Sequence, residues 1–322
     1  MSNQKMQRLS GVDAKGSVAT NQAPAKCWIC GSADSRPFRA STIKDKIDST
    51  SVRISDSAYG QTAALSECKN CSFVFANPIP HPSVVDLYRG MDDNEYHDSS
   101  EARRFQMRRL LDEVTSVHPQ ARTLLDVGAG TGLLVSEAEK RGLRAQGVEP
   151  SRWGVDTAAR VNGVKLLCGT LQENANQLGK YDIVMLIDVV EHTTDPLGMI
   201  REGVSRLSPG GVVVIVTPDI GSMTARTMKR WWWHHRVAHV CFFNQKSIRR
   251  VLEQLGVQVV SDRFAGWRLP VSYLCDRLKV YLPVPVISGV LRRMANSRRV
   301  AQYSVNINLR DSRTFIGKRT TS

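Results

Sequence analysis

The run Leu124-Leu125-Asp126-Val127-Gly128-Ala129-Gly130-Thr131-Gly132 constrains this chain more than any other stretch. Apolar residues lead to an acidic one, three glycines follow at alternate positions, and residues 133–140 then read as a helix. The pattern predicts a strand, a tight turn and a helix. Glycines serve where the backbone turns sharply and a ligand comes too close for a Cβ. A dinucleotide fingerprint places its third glycine three residues after the second, whereas Gly132 follows Gly130 by two. With Asp126 just before the first glycine, the spacing points away from a nicotinamide cofactor and toward a nucleoside lacking a pyrophosphate. Asp126 offers an acceptor to the positive end of such a ligand, where a phosphate would be repelled.

Residues 142–150 read as a second strand ending in Glu149, about where a ribose-binding carboxylate falls after a glycine turn. An alternating β/α rhythm continues from there, the mark of a doubly wound sheet. Ser151 is the expected N-cap of a helix through Arg160, and residues 164–167 form a third strand. Residues 181–187 form the fourth, Asp195-Pro196 opens the next helix, and Ser208-Pro209-Gly210-Gly211 turns the chain into a fifth at 212–216. Asn244 caps a helix reaching Leu255; residues 257–260 and 314–318 are left as the final strands, joined by a long basic insertion. Ligands of such sheets bind beyond the carboxyl ends of the strands. Asp126, Glu149, Thr170, Asp188 and Thr217 all fall at those ends.

The glycine turn with its two acids resembles the class I S-adenosylmethionine-dependent methyltransferases. So do Asp188-Val189-Val190-Glu191-His192 with Asp195-Pro196, Leu207-Ser208-Pro209-Gly210-Gly211, and Thr217-Pro218. The resemblance implies an α/β fold, a doubly wound seven-stranded Rossmann-like sheet whose last strand runs antiparallel. It also implies S-adenosylmethionine contacts at Asp126, Gly128, Ala129, Gly130, Thr131, Gly132, Glu149, Pro150, Thr170, Leu171, Asp188 and Val189. The chain departs from the family at Cys168-Gly169-Thr170, where relatives often carry an acid against the adenine.

Cys27-Trp28-Ile29-Cys30 and Cys68-Lys69-Asn70-Cys71 each present two thiolates to one tetrahedral ion, as Zn²⁺ requires. Four thiolates leave no open position for substrate, so the expected role is structural. A hairpin from Val52-Arg53-Ile54 and Ala64-Leu65-Ser66 would fill the gap between the knuckles. Cys168, Cys241 and Cys275 are isolated, and buried packing is expected for each. The cysteine pairs, Asn77-Pro78-Ile79-Pro80, and the tryptophans leading to His239-Val240-Cys241-Phe242-Phe243-Asn244 resemble methyltransferases with an N-terminal zinc ribbon. Many of those act in polysaccharide, modified-sugar and secondary-metabolite pathways. The organisation expected is a disordered tail at 1–26, a zinc ribbon at 27–80, and a linker with a helix at 81–121. The cofactor-binding domain follows at 122–262, then a basic helical insertion with the final strand at 263–322.

The net charge of +14 is uneven, because residues 223–322 carry 19 Lys+Arg against 4 Asp+Glu. An anionic partner is therefore expected at the C-terminal third: an anionic lipid or lipid-linked substrate on one reading, a nucleotide-sugar or RNA phosphate on another, and a solvated helical cap if neither binds. The first 26 residues lack the apolar core of a signal peptide, and Pro283 and Pro285 interrupt the most apolar later run. The expected location is cytoplasmic, or peripheral to the inner face of the membrane.

The expected reaction is methyl transfer to a hydroxyl of a small or glycan-like acceptor. The protein then supplies alignment and a base. His192 and His239 are the candidate bases, and a metal on Asp188, Glu191 and His192 is an alternative. Trp231-Trp232-Trp233 cannot all face one side, so one should be exposed or line a pocket, where it could stack on an acceptor ring. Two rivals are an RNA methyltransferase and a cofactor-binding module without turnover. The fourth strand lacks the Asn/Asp-Pro-Pro-aromatic ending of a base methylase, so nucleic acid is not the expected partner.

Overall fold

The computed structural model describes residues 25–44, 46–53, 59–80, 83–93, 100–281 and 285–320. The expected N-terminal tail up to residue 24, and residues 94–97 of the acidic loop, lie outside the described residues. Three strands open the chain: β1 (Ser35–Arg39), β2 (Leu65–Cys68) and β3 (Val74–Ala76). Helices α1 (Val84–Arg89) and α2 (Ser100–Val117) follow. The alternating region then runs β4 (Thr123–Val127), α3 (Leu133–Glu139), β5 (Arg144–Glu149), α4 (Arg152–Thr157), β6 (Leu167–Cys168), β7 (Tyr181–Ile187), α5 (Pro196–Ser205) and β8 (Leu207–Pro218). Beyond it come α6 (Met223–Met228), β9 (Cys241–Phe242), α7 (Gln245–Gln254), β10 (Val257–Phe264), β11 (Trp267–Pro270), α8 (Val271–Tyr281), α9 (Pro285–Ala295), α10 (Arg298–Ala301), β12 (Ser304–Ile307) and β13 (Ser312–Arg319).

The main sheet has seven strands in the order β10-β13-β8-β7-β4-β5-β6. β4 to β8 pair in parallel and β13 lies antiparallel between β8 and β10. That is the doubly wound topology the sequence predicts. The central strands are buried on both faces, which explains their near-continuous apolar runs. One face packs Leu125, Val184 and Ile215 against Phe73, Phe243 and α7's Ile248 and Leu252. The other packs Leu124, Ile183 and Val214 against α2's Leu110, Leu111 and Val114. Side-chain caps fix the helix starts: Ser151 Oγ accepts from Gly154 N at 3.2 Å, Asp195 Oδ1 from Gly198 N at 2.9 Å, and Asn244 Oδ1 from Ser247 N at 2.9 Å.

Several expectations are corrected. Of the expected hairpin strand Val52-Arg53-Ile54, Val52 ends a 3₁₀ turn capped by Asp48, Arg53 follows it and Ile54 lies outside the described residues; β2 pairs instead with β1 and β3. The third strand shrinks to β6, because Val164 and Leu166 turn inward to pack on Ala158 and Val135. β8 begins at Leu207, so Ser208-Pro209-Gly210-Gly211 is an irregular strand start with Gly210 at φ 73°. Cys241 and Cys275 are buried, but Cys168 is exposed at the end of β6. The N-terminal sheet, in the order β1-β2-β3-β9, takes its fourth strand from the chain beyond β8. The two sheets thus share the Phe73, Phe75, Cys241 and Phe243 packing.

Candidate functional site

The glycine turn leaves β4 with Gly128, Gly130 and Gly132 at φ 73°, 54° and 74°, in the left-handed region that disfavours side chains. A Cβ on Gly128 would lie 2.7 Å from Val189 Cγ2, and one on Gly132 would lie 2.6 Å from Val164 Cγ2. Gly130 has open space beside it. Gly128 therefore lets the turn approach the β7 loop, Gly132 lets the start of α3 approach the 158–166 segment, and Gly130 keeps the cradle free. Gly132 does not line the cavity, whereas Asp126, Gly128, Ala129, Gly130, Thr131, Glu149, Pro150, Thr170, Leu171, Asp188 and Val189 do.

Glu149 Oε2 accepts from Gly130 N at 2.7 Å and Oε1 from Ser151 N at 2.8 Å, so one carboxylate ties β5 to the turn. Burial raises its pKa against those bonds. Burial, with Glu149 nearby, also raises Asp126 to about 7. A cationic ligand beside these two acids would restore their charge. The cradle therefore fits a nucleoside with a positive end. Asp188, at φ 49°, holds a backbone conformation rare outside glycine, and burial raises it to about 6.

The cradle opens into a cavity of about 870 Å³ that continues into a second half with different chemistry. His192, on the 3₁₀ turn after β7, places Nδ1 2.9 Å from the Ala238 carbonyl. A carbonyl only accepts, so Nδ1 carries the proton and Nε2 keeps its lone pair. The His192 and His239 rings meet edge to face at 4.7 Å. Ligand atoms of Glu191, His192 and His239 lie within 4.8 Å of one another. Glu191 Oε2 accepts from Thr217 Oγ1 at 3.1 Å, but Glu191 Oε1 and His239 Nδ1 are buried without a hydrogen-bond partner. Burial lowers His192 to about 3 and His239 well below its ordinary value, so both imidazoles are neutral. Burial, with Asp188 beside it, raises Glu191. The expected Asp188–Glu191–His192 trio is thus replaced: His239, distant in sequence, takes the place of Asp188.

His239 is held there by the N-terminal sheet. Ala76 N donates to the Val240 carbonyl at 2.8 Å, and Val240 N to the Glu191 carbonyl at 2.9 Å. The four-cysteine cluster anchors that sheet. Cys27 and Cys71 Sγ lie 3.6 Å apart, Cys30 and Cys68 Sγ 3.5 Å apart, and all four sulfurs fall within 4.8 Å. Tetrahedral Zn–S bonds of about 2.3 Å imply sulfurs about 3.8 Å apart, so the set is consistent with a zinc site.

The tryptophan triplet divides its tasks. Trp231 is exposed, Trp232 is core with Nε1 donating to Asp311 Oδ2 at 3.1 Å, and Trp233 lines the cavity. Sequence reasoning missed Tyr59, Tyr88, Arg103, His234, Trp267, Tyr273, Arg277 and Tyr281, all of which line the cavity. Tyr59 stacks on Tyr281 at 6.1 Å, with Arg277 over Tyr59 at 5.5 Å and Tyr273 at 4.6 Å. The basic insertion thereby roofs the cavity and meets the N-terminal region there. The one sequence signal for His234 is its place beside the tryptophans.

Comparison with known proteins agrees with this geometry. A family model described as "Methyltransferase domain" matches residues 100–262, just over half of the chain. The ubiquinone biosynthesis O-methyltransferase of Rickettsia canadensis is 26% identical over 165 residues, covering 47% of this chain and 69% of that protein. Its namesake from Vibrio parahaemolyticus is 33% identical over 100 residues, which is 29% of this chain and 43% of the relative. The chain thus spans from about two-fifths to two-thirds of the length of these relatives. Among solved structures, a SAM-dependent methyltransferase from Archaeoglobus fulgidus aligns with a TM-score of 0.48 and 16% identity, covering 70% of this chain and 100% of that one. Magnesium protoporphyrin IX methyltransferase from Synechocystis PCC 6803 aligns at 0.46 and 15%, covering 72% and 90%. The glycine cradle, the paired acids at adjacent strand ends and the family match lead to one conclusion: the chain belongs to the methyltransferase-domain family, in its class I S-adenosylmethionine-dependent form.

Proposed function

We propose that this protein moves a methyl group from S-adenosylmethionine to a hydroxyl of a sugar, glycan precursor or other small ring-bearing metabolite. The observation that carries the reading is the convergence of Glu191, His192 and His239 on the cavity just past the cofactor cradle. When bound, the cofactor supplies an activated methyl on sulfur. The protein's own residues align the acceptor and take its proton. His192 is suited to accept that proton at Nε2, since Ala238 fixes its tautomer. Asp126 and Glu149 face the cofactor's positive end and ribose, while Thr170 and Leu171 border the adenine side. The curated relatives are named for O-methylation, which favours a hydroxyl acceptor. Isothermal calorimetry with S-adenosylmethionine, followed by mass spectrometry over a panel of hydroxylated acceptors, tests the reading. No retained cofactor at millimolar excess sinks it.

Two metal assignments accompany it. Cys27, Cys30, Cys68 and Cys71 hold a structural Zn²⁺, and metal analysis should find one equivalent per chain. A second reading of the chemistry gives Glu191, His192 and His239 a divalent cation, favoured by the orphaned Glu191 Oε1 and His239 Nδ1. A carboxylate and two neutral imidazoles are a donor set suited to such an ion. It would polarise the acceptor hydroxyl and relieve both buried atoms. Calorimetric titration of Mn²⁺ into chelator-treated protein, repeated with Glu191→Gln, separates this from a histidine base.

A further inference from the structure

Between Asp276 and Asp311 the sequence holds no acidic residue but seven basic ones. Three of the seven are engaged among the described residues: Arg277 stacks on tyrosines, Lys279 pairs with Asp276 at 2.6 Å, and Arg310 lies over the Phe264 ring at 5.7 Å. Arg292, Arg293, Arg299 and Arg310 are exposed. Helix α9 carries Val286, Val290 and Met294 at spacings of four, with Ile287 beside them, and these are 77%, 52%, 37% and 41% exposed. Residues four apart share one helix face, so α9 shows solvent an aliphatic stripe, with Arg293 one turn beyond Val290. α9 packs on α8, whose Leu278 is both exposed and cavity-lining, as is Leu309. The stripe therefore sits on the helix packed against the cavity roof.

We propose that α9 and the adjoining cavity mouth rest on an anionic lipid surface. Aliphatic side chains flanked by arginines, in a stretch without an acid between Asp276 and Asp311, match a layer that is apolar below and negatively charged above. Among the described residues no helix is long and apolar enough to cross a membrane, so the contact is superficial. A second copy of the chain fits poorly, because a two-fold contact through this face would set arginines against arginines. RNA would use the arginines but has no use for an aliphatic stripe without aromatic platforms. The consequence for chemistry rests on the methyl-transfer reading: an acceptor on a lipid anchor would reach the cavity directly from the membrane.

The test is co-sedimentation of the full chain with sucrose-loaded vesicles of phosphatidylcholine alone or mixed with phosphatidylglycerol. Binding is expected to the mixed vesicles only and to weaken with salt. The Arg292→Ala/Arg293→Ala variant should lose roughly 25-fold in partitioning, at about fivefold per arginine. The Val286→Ser/Ile287→Ser/Val290→Ser variant should lose at least as much, with circular dichroism and cofactor affinity unchanged. Should the serine variant misfold, Val290→Trp keeps the question open to measurement, because its fluorescence should be quenched by brominated lipid chains. Equal binding to both vesicle types, no quenching, dimerisation through the stripe, or RNA binding sensitive to the arginines alone would each overturn the proposal. Cofactor calorimetry on the same sample reads the methyl-transfer assignment separately, so either can fail without the other.

Discussion

The two halves of the cavity are built in opposite ways. The cofactor half comes from consecutive pieces of chain, β4, the glycine turn, α3 and β5, and its chemistry is two buried acids. The acceptor half is gathered from Tyr59, Tyr88, His192, the 233–239 segment and the insertion after β10, and its chemistry is histidine, tyrosine and arginine. The first is a local solution to binding one nucleoside. The second depends on contacts across most of the chain, so it should be more sensitive to distant change.

Separating turnover from cofactor affinity is the strongest way to break that contrast. His192→Ala and His239→Ala, compared at saturating cofactor, should show at least one loss of about 10²–10⁴-fold in rate. Cofactor affinity should stay within a few-fold. If neither slows, the base lies elsewhere. Cys27→Ser should release the bound metal and lower stability by several kcal/mol, on the order seen for structural zinc. Because β3 holds Val240 and Val240 holds the Glu191 turn, rate should fall with it while the cofactor half still binds; a normal melting profile removes the zinc assignment.

Conversely, Glu149→Ala should weaken cofactor binding roughly 10- to 100-fold, the worth of one or two charge-assisted hydrogen bonds. The fold should stay intact, and unchanged affinity would count against the ribose assignment. The smallest effect expected is in protons. Asp126 is held protonated in the folded chain up to about pH 7 but ionises near 4 when unfolded. Its contribution to stability is thus present at low pH and lost as pH rises from about 4 to 7. Asp126→Asn should therefore gain on the parent across that window, measured by denaturant midpoints. A cationic cofactor pulls the proton off, so calorimetry at pH 6 in buffers of different ionisation enthalpy should register proton release.

Legibility in the sequence follows the same divide. The order of β4 to β8, the helix caps and the strand-end acids can be read from period, glycine and cap residues, because each signal lies within one strand–turn–helix unit. The packing demand on Gly132 is not legible, since only the structure shows Val164 and Ala158 against its Cα. Val52-Arg53-Ile54 reads as a strand because β-branched Val52 carries no mark of the Asp48-capped turn that it ends. Pairing of β9 with β3, and the roof made by Tyr273, Arg277 and Tyr281, have no local signature at all. They are choices among long-range contacts that composition leaves open.

The excursion carrying that roof leaves β10 at its end and returns at the start of β13, the strand paired with it. Ala265 N donates to the Ser312 carbonyl at 2.8 Å across the gap. Both stems thus share one closed hinge on paired strands of the sheet. A scaffold of this kind would let the roof be replaced as one cassette while the histidines below it and the nucleoside cradle keep their places.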